Sequence, residues 1–185
     1  MIFSFLRCAV IAGLVGLSAC AAVASPAVGQ NAPRASFVLA DGSDFRLASA
    51  RGDVVVLAFF TTYCPSSPAT LRALDRLRAR NADAGLTVVA VDEGDTPTQV
   101  AALRARLGVR LPIAFDANAT AAKELGLVTV PSVVVIDRDG TVRHVHAGYH
   151  GEDDRSSIEG EVAALLDTEP ASLDRGEIAT ASPGR

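Results

Sequence analysis

Three runs of apolar residues, rich in β-branched side chains, mark the middle of the chain. They are Val54–Phe60, Leu86–Val91 and Val133–Ile136. A continuous apolar run, rather than an alternating one, is typical of a strand that is covered on both faces of its sheet. The pattern therefore predicts a central sheet with helices packed against both faces.

Between and after these runs, apolar residues recur at the spacing of an amphipathic helix. The predicted helices run from Pro65 to Gly85, from Thr96 to Gly108, from Ala119 to Leu125 and from Arg155 to Leu166. Shorter strands are predicted at Phe37–Leu39, Asp44–Leu47, Ile113–Phe115 and Thr141–His146, the last in a hairpin with Val133–Ile136. This order of elements predicts an α/β domain with a mixed sheet, in which the first two central strands are parallel.

The first 24 residues have the pattern of a secretory signal. Arg7 is the only charge before a run of small and apolar residues from Cys8 to Ala24. The tetrapeptide Leu17-Ser18-Ala19-Cys20 is similar to a bacterial lipobox, and Ala22-Val23-Ala24 is similar to an ordinary signal-peptidase site. We favour lipidation at Cys20 because all four lipobox positions fit; an uncleaved signal anchor is the third alternative. Each alternative places the domain outside the cytoplasm, in the periplasm or facing the cell exterior.

The length of 185 residues suits one domain with a substantial core. Residues 25–36 are rich in Pro, Gly and Ser and are predicted to be a tether. Residues 37–167 are predicted to form the domain. Residues 168–185 are polar and small, which predicts a disordered tail.

Charge and cysteine content narrow the possible functions. The net charge is −4, and the basic residues are scattered, so no nucleic-acid partner is predicted. The acidic group Asp92, Glu93 and Asp95 is expected to be solvated or to cap a helix. Because Cys8 leaves with the signal and Cys20 is lipidated or removed, Cys64 is the one thiol left for chemistry. The sequence indicates no cofactor.

Cys64 lies in the stretch "TTYCPSSP", residues 61–68, between a buried strand and a helix. Pro65 suits the first turn of a helix, so Cys64 is expected at a helix N-terminus, where unpaired amides and the helix dipole stabilise a thiolate. Ser67 lies one helical turn further on, and its hydroxyl is expected to donate a hydrogen bond to the Cys64 sulfur. The stretch therefore predicts an activated nucleophile.

Two stretches resemble the TlpA/ResA branch of thioredoxin-like proteins, in the AhpC/TSA–redoxin superfamily. One is the apolar strand Val54–Phe60 that leads into Cys64-Pro65, and the other is "GLVTVPSVVVIDRDG", residues 126–140. The resemblance runs from about Phe37 to Leu166. It implies a thioredoxin-like α/β fold, with a central mixed sheet and helices on both faces. It also implies a membrane-tethered protein that exchanges thiols and disulfides with a partner.

The resemblance further implies a cis peptide bond between Val130 and Pro131, with the proline against the reactive sulfur. An extended partner peptide pairs with the backbone at such a proline, as an added strand does. The residues expected to line this groove are Thr61, Thr62, Tyr63, Pro65, Val130 and Pro131.

Three positions depart from the pattern of this branch. Ser67 replaces the second, resolving cysteine. Ala58 stands where many thioredoxins have a buried acid or amide, and Thr70 stands where ResA-like proteins have a glutamate. The leading hypothesis is therefore monothiol exchange, in which Cys64 forms a mixed disulfide with a partner protein or a small thiol and an external thiol resolves it.

A second hypothesis is a one-cysteine thiol peroxidase. Thr61-x-x-Cys64-Pro65 is similar to the core motif of peroxiredoxins, in which the thiolate becomes a sulfenic acid. However, Leu57 replaces an expected proline, and Pro131 occupies the position of an expected arginine. Both departures argue against fast peroxidase chemistry.

A third hypothesis is a binding module without turnover, since the fold alone specifies no activity. A copper site built from Cys64, His144, His146 and His150 is its weakest form, because copper-binding relatives of this fold use two cysteines. The prediction therefore includes no metal.

Overall fold

A computed structural model describes residues 27–168, which form a seven-stranded mixed sheet with helices on both faces. The strands are β1 (Ser36–Leu39), β2 (Asp44–Arg46), β3 (Val54–Phe60), β4 (Leu86–Asp92), β5 (Ile113–Phe115), β6 (Ser132–Ile136) and β7 (Val142–Ala147). The α-helices are α1 (Ser67–Arg80), α2 (Pro97–Leu107), α3 (Thr120–Glu124) and α4 (Glu152–Leu166), and a 3-10 helix spans Leu47–Ala50. The strand order is β2-β1-β5-β4-β3-β6-β7.

Strand β3 lies near the middle of the sheet, and all seven of its residues are buried. It pairs in parallel with β4 and antiparallel with β6. The predicted parallel pairing of the first two central strands is thus confirmed. The pairing also brings the end of β3 beside the end of β4, where Phe60 is opposite Asp92, and beside the start of β6, where Phe59 is opposite Ser132.

The two faces of the sheet bury two separate clusters of apolar side chains. Phe60 and the alternate residues of β3 pack with α1, α2 and α4. Phe59, Leu57 and Val55 of β3 pack on the other face with α3 and with Leu47 of the 3-10 helix. Because successive side chains of a strand point to opposite faces, covering both faces requires an unbroken apolar run, which is the pattern seen in the sequence.

The start of α1 differs from the prediction. The helix begins at Ser67 rather than at Pro65, and Pro68 is the proline in its first turn. Residues 61–66 therefore form a connecting turn in which the amide of Ser67 donates a hydrogen bond to the carbonyl of Cys64 at 3.1 Å. Cys64 therefore lies two residues before the N-cap residue Ser66 instead of directly at the helix N-terminus.

The segment predicted to be a tether is packed against the domain from Ala27 onward. Ala27 is 6% exposed, and its amide donates to the carbonyl of Leu125. Gly29 and Gln30 exchange backbone hydrogen bonds with Val142 at the start of β7. The backbone of residues 27–32, within the segment predicted to be a tether, thus forms hydrogen bonds with the domain.

The signal segment, Cys20 with its lipobox and the tail from 169 onward lie outside the described residues. Within residues 27–168, no helix combines the length and the hydrophobicity that a membrane crossing needs.

We expect Phe59→Ala to lower the free energy of unfolding by about 4 kcal/mol, because it removes a fully buried ring and leaves a cavity. Urea unfolding of the full chain measures this loss. The control is Val38→Ala on β1, where the side chain is 54% exposed and the expected loss is about 0.5 kcal/mol or less. Equal losses in the two variants would contradict the central position of β3.

Candidate active site

The Cys64 thiol lies against the loop that precedes β6. Its side chain is half-buried, and Sγ donates a hydrogen bond to the carbonyl oxygen of Val130 at 3.5 Å. The Val130–Pro131 peptide bond is cis, as the resemblance implies. Since β3 and β6 are antiparallel neighbours, the residues after β3 and those before β6 meet at the same edge of the sheet.

The expected groove residues divide into an exposed and a buried set. Tyr63 is 78% exposed and Pro65 is also exposed, whereas Thr61 and Pro131 are buried. Val128, which the sequence reasoning did not single out, is 82% exposed in the loop before Pro131. Tyr63 and Val128 are the most exposed of the large apolar side chains among residues 27–168, and they belong to the two loops that meet at Cys64.

The expected hydrogen bond from Ser67 to the Cys64 sulfur does not form. Ser67 is fully buried, and its Oγ has no hydrogen-bond partner among residues 27–168. The reason is the later start of α1. Residues 64 to 67 form a non-helical turn, so the two side chains are not stacked one helical turn apart. The hydroxyl of Ser67 is therefore buried and unpaired at the end of the turn that contains Cys64.

Asp95 fixes the turn that carries Cys64. The amide of Thr62 donates to Oδ2 of Asp95 at 2.6 Å, and the hydroxyl of Thr62 donates to Oδ1 at 2.7 Å. Burial by itself raises the pKa of Asp95, but these two hydrogen bonds and one with the Asp92 side chain lower the pKa below its usual value. Asp95 is thus a carboxylate that accepts both donors of Thr62.

Asp92 ends β4 directly beside this contact. It is 1% exposed, and its Oδ2 accepts a hydrogen bond from the Asp95 amide at 2.9 Å. Burial first, and then a hydrogen bond with the Asp95 side chain, raises the pKa of Asp92 to about 7. Glu93 follows it, and there burial and the negative charge of Asp116 raise the pKa.

The expectation that this acidic group is solvated is therefore wrong for Asp92. The helix cap expected from the group is provided by Thr96, whose hydroxyl accepts from the amide of Gln99. The available signal in the sequence was that Asp92 directly continues an apolar strand.

The positions that depart from the thioredoxin pattern are buried without a carboxylate. Ala58 and Thr70 are both 0% exposed, and the Thr70 hydroxyl donates to the carbonyl of Ser66. The histidines of the copper hypothesis lie elsewhere: His144 and His146 of β7 both contact the carboxylate of Glu161 in α4. The structure therefore does not bring them together with Cys64 as a ligand set.

Comparison with known proteins gives the same fold and relatives that are named as thiol-disulfide proteins. The chain is 29% identical over 130 residues to the thiol-disulfide oxidoreductase ResA of Geobacillus thermodenitrificans, which covers 69% of this chain and 74% of that protein. A crystal structure of a proposed thiol:disulfide interchange protein DsbE from Chlorobium tepidum superposes with a TM-score of 0.72. It is 25% identical, and the match covers 77% of this chain and 99% of that one.

A thioredoxin family protein from Chlorobium tepidum also superposes, with a TM-score of 0.66 at 24% identity over 77% of this chain and 98% of that one. The expected thioredoxin-like α/β fold is thus confirmed. The model of the AhpC/TSA family matches residues 28–145, which is more than half of the chain. The chain therefore belongs to the AhpC/TSA family.

Proposed function

We propose that this protein exchanges thiols and disulfides through Cys64, forming a mixed disulfide with a partner protein or a small thiol. The observation that carries the proposal is the thiol of Cys64 lying half-buried against the Val130 carbonyl, with exposed Tyr63 and Val128 in the adjoining loops. The ResA relative, named as a thiol-disulfide oxidoreductase, supports the same class of reaction.

The first step is a thiolate attack. Cys64 loses its proton to solvent, and its sulfur attacks one sulfur of a partner disulfide. A new S–S bond forms between Cys64 and that sulfur, while the old bond breaks and the second partner sulfur leaves as a thiolate. No net oxidation occurs, since one disulfide is consumed and one is formed.

The hydrogen bond to Val130 couples this chemistry to partner binding. The reduced thiol donates its proton to the Val130 carbonyl, and a disulfide sulfur has no proton to donate. Adduct formation therefore frees the carbonyl to accept an amide of an extended partner segment. Tyr63 and Val128 provide apolar contact area on either side of that segment.

Release of the partner requires a thiol from outside the chain. Cys64 is the only cysteine among residues 27–168, and Ser67 occupies the position of a resolving cysteine. An external thiol attacks the mixed disulfide, forms a disulfide with the partner and returns Cys64 as a thiol. The protein is thus proposed to cycle between a free and an adduct state.

We further propose that the domain acts outside the cytoplasm and is anchored through a lipid on Cys20. The lipobox Leu17–Cys20 supports this, because all four positions fit. A membrane-bound thiol protein in an oxidising compartment also meets the partner disulfides that the reaction needs.

The adduct is testable with oxidised glutathione and the full chain carrying Cys8→Ser and Cys20→Ser. We expect one glutathione on each chain, located on Cys64 and removed by excess thiol, as measured by intact mass and peptide mapping. The added substitution Cys64→Ser is the control and abolishes the adduct. Absence of an adduct at Cys64, or rapid consumption of hydrogen peroxide that depends on Cys64, would overturn the proposal.

A second cysteine at position 67 tests whether the missing internal thiol limits release of the partner from Cys64. We expect Ser67→Cys to catalyse insulin reduction by dithiothreitol faster than the parent chain, because an internal thiol resolves the adduct faster than dithiothreitol from solution does. The control is Ser66→Cys, which adds a thiol one residue away from the required spacing. Equal rates for the parent chain and for Ser67→Cys would contradict the proposal that the missing internal thiol limits release of the partner.

A further inference from the structure

We propose that Asp92 and Asp95 are positioning residues for Cys64, in which the buried Asp92 carboxyl sets how firmly Asp95 holds Thr62. The inference rests on the proposed function, because it concerns the geometry of the same nucleophile. Thr62 is two residues before Cys64 in the turn, and its amide and its hydroxyl are both bound to Asp95. Asp95 therefore determines the path of the backbone that leads to the thiol.

Asp95 is in turn held by Asp92, because the Asp95 amide donates to Oδ2 of Asp92 at 2.9 Å. The pKa of Asp92 is raised and that of Asp95 is lowered, which fits a proton on Asp92 that is donated to the Asp95 carboxylate. A hydrogen bond between two carboxyls requires a proton on one of them. Oδ1 of Asp92 is buried and has no hydrogen-bond donor among residues 27–168, so burial favours the proton on Asp92.

The titratable groups described around Asp92 are all acidic. Asp95 lies in the loop after β4, Glu93 is the next residue, and the amide of Asp116, which follows β5, donates to the Asp92 carbonyl. Ionised Asp92 thus lies beside the Asp95 carboxylate with no cation among these groups to offset the charge. Repulsion between the two carboxylates then works against the geometry in which Asp95 grips Thr62.

The direction of the pH dependence follows from the pKa of Asp92, which is raised to about 7 in the folded protein. Below that pH, Asp92 is neutral and donates to Asp95, so the Thr62 contacts are intact. Above it, Asp92 is ionised and the pair is repulsive. The folded state also loses stability as pH rises from about 4 to about 7, because over that range the unfolded chain has already released this proton.

The contact at Thr62 is testable by its amide signal in proton–nitrogen correlation spectra of the full chain. We expect this signal to shift with a midpoint near pH 7, in both the parent chain and Cys64→Ser. The shift should be absent in Asp92→Asn, because the amide side chain donates to Asp95 at every pH. Glu93→Gln is the matched control: it removes a neighbouring, half-buried carboxyl but leaves the Asp92–Asp95–Thr62 contacts, so the shift should remain. A Thr62 signal that does not titrate, or that titrates equally in Asp92→Asn, would overturn the inference whether or not Cys64 reacts.

The effect on the nucleophile is measured as the rate of Cys64 with dipyridyl disulfide, in the Cys8→Ser and Cys20→Ser background. We expect the rate of Asp92→Asn divided by that of the parent chain to be near one at about pH 5.5. At about pH 8.5 the variant should react roughly five times faster than the parent chain or more. The reason is that repulsion displaces the turn with Cys64 only in the parent chain, and small displacements of a reacting group have large effects on rate. Asp95→Asn, which loses one acceptor for Thr62, should be slower than the parent chain at both pH values.

The outcomes separate the two proposals. A parent chain whose Cys64 does not react with any disulfide defeats the proposed function, and the Thr62 signal then decides the inference by itself. A reactive parent chain with the same rate ratio for Asp92→Asn and Glu93→Gln defeats the inference alone, because removal of one negative charge would then explain the effect.

Discussion

The burial of β3 on both faces is the constraint on which the site depends. Seven consecutive apolar residues exclude this strand from an edge of the sheet, and they place it between β4 and β6. Its end therefore lies beside the end of a parallel strand and the start of an antiparallel one. The first neighbour brings Asp92, and the second brings Val130, so that Cys64 follows β3 into a position between an acid pair and a backbone carbonyl.

The same edge of the sheet contains several buried polar atoms without partners. Oγ1 of Thr61, Oγ of Ser67 and Oδ1 of Asp92 are all buried and unpaired within the described part of the chain. Each such group destabilises a fold by about 1–3 kcal/mol relative to a paired one. The turn from β3 to α1, with the end of β4 beside it, is therefore a place where the fold gives up stability.

The sequence predicted the sheet well, and also the place of Cys64 between a strand and a helix, because both depend on local patterns. The unbroken run of β3 and the regular stripes of α1 and α2 fix strand and helix types, and Cys64 follows from its place between them. The failures arise where long-range contacts override local composition. Residues 29–31 lie in a stretch of turn formers but pair with the chain at the start of β7. Asp92 belongs to an acidic group but is buried at the end of β4. The Ser67 contact failed because a two-residue change in the helix start changes the direction of a side chain completely.

The position of Asp92 bears on the absence of carboxylates at positions 58 and 70. Ala58 and Thr70 stand where the resemblance leads one to expect groups that handle protons near the thiol. Asp92 is opposite Phe60 in the parallel pair of β3 and β4, and Phe60 shares its sheet face with Ala58. A buried carboxyl is therefore present on the same face, displaced by one strand and two residues. From there it contacts Asp95, which binds Thr62, so the proposed action of its proton is on the backbone that leads to Cys64. Such an arrangement suits a monothiol, which needs a well-placed sulfur for attack but has no internal second thiol to which a proton must be passed.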